Sequence, residues 1–208
     1  MYATAEVRWF GRGDAPAAVR MWFDAGPWLP RAEPSRRDHY LKTGSDAIGI
    51  KLRGGKLECK RRLESRGPVE LAPGIVGRLE LWRKWSMTLD AAASQVAGLM
   101  RPARFWLTTE KRRRLRKFAF DASGEVLEVQ PPEAPSEGPA VGCDLELTEL
   151  AVGRERWWTL GFEAFGEGSD LAGTLLMTTQ AAFAGSEGIV LAPEASFGYA
   201  AWLAARDR

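Results

Sequence analysis

Residues 47–62 read AIGIKLRGGKLECKRR. Ile48, Ile50 and Leu52 alternate with Gly49, Lys51 and Arg53; after Gly54-Gly55 the pattern returns with Leu57 and Cys59 on one face and Glu58, Lys60 and Arg62 on the other. Alternation with period two marks a strand with two unlike faces. A two-residue Gly-Gly connection joins such strands as a tight hairpin, because glycine accepts the positive φ that the turn requires. The second face decides the architecture, for it carries charge. A half-exposed sheet would present a mixture of Thr, Ser, Lys and Glu to water.

The same pattern recurs outward in both directions. Thr4, Glu6 and Arg8 alternate with Ala5, Val7 and Trp9, and Arg78, Glu80 and Trp82 alternate with Leu79 and Leu81. Later, Asp144, Glu146 and Thr148 alternate with Cys143, Leu145 and Leu147, and Thr159, Gly161 and Glu163 with Trp158, Leu160 and Phe162. RRDHYLKT (36–43) reads as another strand, and the basic run EKRRRLRK (110–117) places Lys111 and Arg113 on one face of a further one. Helices are predicted from Asp14 as N-cap to about Asp24, over AAASQVAGLM behind Asp90, from Asp170 to about Ala184, and over Glu194–Arg206. QPPEAPSEGPAVG (130–142) is a Pro/Gly-rich loop.

Composition bounds the answer. The 208 residues are 45% hydrophobic, 27% charged and 10% aromatic, which describes one globular domain over 1–208 with C-terminal helices from about residue 170. There is no run of 18 apolar residues and no signal-peptide pattern at the start, so neither a membrane nor export is expected. With only Cys59 and Cys143, a disulfide scaffold is excluded and a reducing, cytoplasmic setting is expected. The single histidine, His39, excludes multi-histidine metal sites and most histidine-based triads.

Net charge is only +2, yet residues 1–120 carry 25 Lys/Arg against 12 Asp/Glu, and residues 121–208 carry 4 against 15. This polarity fits two separately charged surfaces, a basic patch for nucleic acid, or a closed structure in which basic strands face acidic ones across a shared cavity. The alternation leaves two readings open: an ordinary half-exposed sheet, or a closed antiparallel barrel whose apolar face is turned outward under helices, leaving a charged lumen. Closure removes the sheet edges. In such a lumen Arg and Lys suit phosphate oxygens, and carboxylates suit hard divalent cations. Together they make a polyphosphate–metal site.

At this point the residues resemble the CYTH superfamily, the triphosphate tunnel metalloenzymes. TAEVR (4–8) stands where that family has its opening E-x-E-x-K, RRDHYL (36–41) is similar to its D-x-Y-(L/F) strand, and IKLRGGKLECKRR (50–62) to its basic hairpin. EKRRR (110–114) resembles its K-x-R strand, and DLEL (144–147) and GFEA (161–164) its late acidic strands. The resemblance implies that Arg8, Lys51, Arg53, Lys60, Arg62, Lys111 and Arg113 bind phosphate. It implies that Glu6, Asp144, Glu146 and Glu163 hold Mg or Mn, with Glu6, Glu146 and Glu163 catalytic. The implied ligand is a small phosphorylated anion such as tripolyphosphate or a nucleoside triphosphate, with nucleic acid expected only as an RNA 5′-triphosphate. The implied fold is α+β, a closed eight-stranded antiparallel β-barrel forming a tunnel with a charged lumen and helices packed outside, and the implied activity is metal-dependent hydrolysis.

Two departures bear on this. Thr4 replaces the first glutamate of the opening motif, and Gly161 stands where many members have a second carboxylate. Fewer carboxylates mean weaker cation binding, so one alternative is a degenerate tunnel protein that binds polyphosphate or nucleotide without turnover. A second alternative is an RNA-binding β protein using Lys111–Lys117 as an exterior stripe, with Phe105, Trp106 and Phe118 for stacking.

Overall fold

The Gly54-Gly55 hairpin forms in the expected register: Arg53 pairs with Lys56, and the two glycines adopt φ of 53° and 74°. The computed structural model describes residues 1–89, 98, 103–132, 137–168 and 170–206. In chain order the elements are β1 (Tyr2–Arg12), α1 (Ala17–Asp24), β2 (Arg31–Ala32), β3 (Arg36–Leu41), β4 (Ile48–Arg53) and β5 (Lys56–Ala72). There follow β6 (Ile75–Thr88), β7 (Trp106–Phe120), β8 (Val126–Val129), β9 (Gly142–Val152), β10 (Glu155–Phe165), α2 (Leu171–Ala182) and α3 (Tyr199–Arg206).

Eight strands close into an antiparallel barrel in the order β7-β3-β4-β5-β6-β1-β10-β9, with β9 returning to pair with β7 from Glu110 to Phe118. The short strands β2 and β8 pair with β7 outside the ring. Because successive side chains point to opposite faces, the apolar set turns outward. Ala5, Val7, Trp9, Leu145, Leu147, Leu160 and Phe162 form one cluster with α1 (Val19, Phe23) and α2 (Ala172, Leu175). The helices supply the cover that an outward apolar face needs, and a Trp22–Phe183 stack at 4.8 Å ties α1 to the end of α2. Asp170 caps α2 as expected, accepting from the Gly173 amide at 3.1 Å.

The helix ends depart from expectation in two places. Asp14 does not cap α1: Pro16 occupies the N-cap without a side-chain bond, and Asp14 pairs with Arg156 across the surface. Only Tyr199–Arg206 of the Glu194–Arg206 stretch is α-helical, preceded by a 3₁₀ turn at Pro193–Ala195. The residues between are held extended by the barrel: the Phe197 amide donates to Arg8 O at 3.0 Å, and the Ser196 hydroxyl accepts from the Arg78 amide at 2.8 Å. The helix predicted over AAASQVAGLM lies outside the described residues. Among those described, no helix is long and apolar enough to cross a membrane.

The C-terminal segment lies across one end of the barrel. Phe10, Tyr40 and Leu150, all on the inward face, are buried with Trp202 and Leu203 of α3. Phe10 stacks on Phe197 at 5.0 Å and on Trp202 at 5.5 Å, and Tyr40 stacks on Tyr199 at 5.6 Å. The lumen is thus a pocket with an aromatic floor.

Emptying the outer layer should cost far more than trimming exposed apolar groups. Phe162→Ala, at a fully buried position, is expected to lower unfolding free energy by about 3–5 kcal/mol in urea titration. Met87→Ala, at a residue 58% exposed, should stay within about 0.5 kcal/mol.

Candidate functional site

The inward faces converge on a cavity of about 270 Å³. Its wall carries eight cations from six strands: Arg8 (β1), Arg36 (β3), Lys51 and Arg53 (β4), Lys60 (β5), Lys84 (β6), and Lys111 and Arg113 (β7). Five carboxylates share it: Glu6, Glu58, Asp144, Glu146 and Glu163. Gly198, Tyr199 and Ala200 close the floor, with Tyr2, Tyr40, Trp82 and Thr148 also in the lining.

Register sets the neighbours. Glu6 lies opposite both Glu80 and Glu163, Glu163 opposite Asp144, and Asp144 opposite Lys117. Like charges directly opposite on a sheet repel, so this acidic row depends on cations. Lys60 donates to Glu6 and Lys117 to Asp144. One rung further along, Arg8 lies opposite Gly161, and Gly161 opposite Glu146. Arg8 reaches across that glycine to Glu146 at 2.8 Å and donates to Thr159 Oγ1 at 3.1 Å. Arg113 pairs with Glu146 from β7 and grips Glu33 with two nitrogens, at 2.6 and 2.7 Å.

Gly161 makes that span possible. A Cβ there would stand 2.5 Å from Arg8 Cζ, inside any real contact. Thr4 supports the acidic row in its own way, its hydroxyl donating to Glu6 Oε1 at 2.8 Å. On the basic side three cations surround Glu58, with Arg53 at 2.7 Å, Lys51 at 3.1 Å and Lys84 at 3.3 Å. Near the floor Lys111 Nζ donates to the Tyr40 hydroxyl at 2.6 Å, lies 3.3 Å from Asp38, and sits 3.7 Å above the Tyr199 ring.

Proton affinities follow the crowding. Burial pulls the Lys51 ammonium toward its neutral form; Glu58 opposes this, Arg53, Lys84 and Lys111 add to it, and the group titrates at about 7. Lys111 also comes to about 7, through burial against the pull of Asp38 and with the push of Arg36 and Arg8. Burial raises the Glu146 carboxyl, but Arg113 and Arg8 overcome it and hold it well below the usual range. Glu58, buried yet ringed by Lys51, Lys84 and Arg53, falls to about 2. Asp144 goes the other way, to about 6, because burial and the charges of Glu146 and Glu163 outweigh Lys117.

The structure brings together ten of the eleven residues singled out by the alternation and the resemblance: Glu6, Arg8, Lys51, Arg53, Lys60, Lys111, Arg113, Asp144, Glu146 and Glu163 all line the cavity. Arg62 does not. It sits at the β5 irregularity between Arg62 and Glu64 and pairs with Glu80 and Asp46. Sequence reading also missed Arg36, two alternations before Tyr40, and Lys84, one alternation after Trp82. Tyr199 had no periodic signal, for it arrives from the C-terminal segment. The carboxylates do not assemble as expected for Mg or Mn: among the described residues no three acidic, histidine or cysteine side chains come together as metal ligands.

The exterior basic stripe is also dispersed. Lys111, Arg113 and Lys117 face inward, Arg116 is buried against Glu128, and Phe118 is 3% exposed within the core.

No protein-family model and no curated protein sequence matches this chain. Among solved structures, the S. pombe Pct1 RNA triphosphatase is similar over 86% of this chain and 81% of that one, at 12% identity and a TM-score of 0.38. A likeness so slight carries no argument, and function has to be read from the residues of the pocket.

Two outcomes follow from the geometry. Gly161→Ala should displace the Arg8 guanidinium, lowering the melting temperature and weakening anion binding together; a variant unchanged in both would contradict the role given to this glycine. A bound anion favours charged Lys51 and Lys111, so sulfate, which does not titrate near neutral, should bind best below pH 7. Above pH 7 its affinity should fall by up to about tenfold per pH unit for each lysine that must regain a proton. Lys111→Met should flatten that slope in calorimetric titrations from pH 6 to 9.

Proposed function

We propose that this protein binds a small, linear, triphosphate-containing anion, entering the barrel end-on with its terminal phosphates toward Tyr199. The observation that supports this best is the convergence of eight cations from six strands on one cavity. Arg and Lys bind phosphate through charge-assisted hydrogen bonds, Arg often with two at once. Cations on six strands surround an extended anion from several sides, where a flat surface would meet one side only. The cavity has a floor, which suits a chain that ends inside it: tripolyphosphate, the triphosphate of a nucleotide, or an RNA 5′-triphosphate. Residues 111–117 offer a long strand on the outside no continuous basic stripe, since Lys111, Arg113 and Lys117 face inward.

Hydrolysis is a weaker reading of the same pocket. It asks carboxylates to orient water or hold a cation, whereas Glu6, Glu58, Asp144 and Glu146 are each engaged by Lys or Arg. Binding asks nothing of them beyond holding the cations apart. The two free thiols, Cys59 and Cys143, fit a reducing, cytoplasmic setting.

Calorimetric titration with tripolyphosphate tests the proposal. Wild type should bind, and the Arg53→Ala, Lys60→Ala double variant should lose at least about 100-fold, as expected for two charge-assisted contacts. Absence of binding by wild type, or equal binding by the variant, would overturn it.

A further inference from the structure

We infer that the carboxylates of the lumen act as internal counter-ions for its cations and not as metal ligands, so that the polyanion is bound without a divalent cation. The inference rests on the anion-binding reading above and adds what accompanies the anion. Three observations carry it.

The first is pairing. Glu146 is held between Arg8 and Arg113, Glu6 by Lys60, and Asp144 by Lys117. Glu6 and Asp144 have one oxygen each so engaged, and Glu146, with a guanidinium on both of its oxygens, has to shed them before it can coordinate a cation. Those cations would then stand uncompensated in the same cavity as the metal. Two like charges at close range in a partly desolvated site cost several kcal/mol.

The second is the pair of positions where the opening and late acidic motifs depart from the resemblance. Neither is an idle loss. Thr4 donates a hydrogen bond to Glu6, and Gly161 leaves the space that the Arg8 guanidinium fills. Both changes add to the salt-bridge lattice what they remove from a metal site. Restoring a side chain at Gly161 would collide with Arg8 before it reached a cation.

The third is the excess of positive charge. Eight cations and five carboxylates line the wall, and Glu33 and Asp38 compensate Arg36, Lys111 and Arg113 from behind. The excess is local: on one side Lys51, Arg53 and Lys84 share the single carboxylate of Glu58. Neither buried oxygen of Glu58 makes a well-aligned hydrogen bond with any of them. A divalent cation entering on this side meets the ammonium and guanidinium groups of Lys51, Lys84 and Arg53, whereas a naked polyphosphate supplies the missing negative charge.

The phosphate chain therefore displaces carboxylates from shared guanidinium and ammonium groups. Carboxylate and phosphate compete, which gives this reading and the metal-ligand reading opposite predictions for one substitution. Glu146→Gln keeps the shape and an accepting oxygen while removing the charge. As a counter-ion, its loss should tighten tripolyphosphate binding by about tenfold, since a like charge beside the anion is gone. As a metal ligand, its loss should weaken binding and abolish any dependence on Mn.

The experiment is calorimetric titration of wild type, Glu146→Gln and Glu6→Gln with tripolyphosphate, in chelator and in excess Mg or Mn. A parallel Mn titration of the free wild-type protein is read by electron paramagnetic resonance. The expected result is binding in chelator, tighter binding in both variants, weaker apparent binding in excess Mg because the metal sequesters the anion, and no Mn site on the free protein tighter than millimolar. Binding that requires Mn, a micromolar Mn site on the free protein, or weaker binding in the folded variants would overturn the inference while leaving the anion site standing. Absence of tripolyphosphate binding under every condition would instead remove the reading on which it rests. Should neither variant fold, as judged by circular dichroism, the wild-type chelator and Mn titrations decide the matter alone.

Discussion

Charges taken out of water must neutralise one another, and most of this structure answers to that constraint. A buried ion without a partner costs several kcal/mol, and breaking one member of a buried pair costs about as much. Arg8 and Lys111 are 6% and 3% exposed, and Glu146 and Glu58 are 6% and 4% exposed. None could sit there without the others. The barrel is closed because the strands that bring the cations and the strands that bring the carboxylates have to face each other. The outer helices follow, since a barrel with charge inside has turned its apolar residues out. Even the opposite balances of the two parts of the chain find their explanation here: Arg113 of β7 meets Glu146 of β9, and Lys117 meets Asp144.

If the pocket takes an anion as proposed, mutual neutralisation also prepares it for that ligand. Eight cations in one cavity of about 270 Å³ would drive the strands apart without counter-charge. The carboxylates hold them at fixed positions on rigid strands, so little side-chain ordering remains when a ligand arrives. The compensation is incomplete where Glu58 serves three cations and where Lys111 shares Asp38 with Arg36. At those two points Lys51 and Lys111 give up part of their charge. On the reading proposed above, the pocket still favours negative charge, and its expected response to pH comes from the same shortfall.

Much of this was legible in the sequence, for a definite reason. Period two is dictated by the backbone, so Glu6, Lys51, Lys111 and Glu146 could be assigned to one face before any pairing was known. What alternation cannot see is where a strand stops being regular. Arg62 falls in phase with Lys60 and pairs with Trp82 at the last regular position before β5 shifts register, yet its guanidinium goes to Asp46 and Glu80 and not to the cavity. Nor can alternation see contributions from outside the strands. Tyr199 stands under Arg8 and Lys111 because Ser196 and Phe197 bond to β6 and β1, and no periodicity in the C-terminal stretch reports that. The cap expected of Asp14 failed for a related reason: with Pro16 beside the helix start, the carboxylate found Arg156 across the surface.

Thr4 and Gly161 show why a motif has to be read with its neighbours. As single positions they are missing carboxylates, and the natural conclusion is a weakened metal site with the rest intact. In three dimensions each has been put to another use, one bonding Glu6 and the other making room for Arg8. The consequence goes beyond a lower cation affinity. Once Arg8 lies across Gly161 to Glu146, the carboxylate most central to the acidic strands is bound to two guanidinium groups. Two small side chains thus suffice to turn carboxylates that could have served a metal into supports for cations. On the reading proposed above, the chemistry that remains is recognition of an anion, and it depends on how tightly each cation is held before the anion arrives.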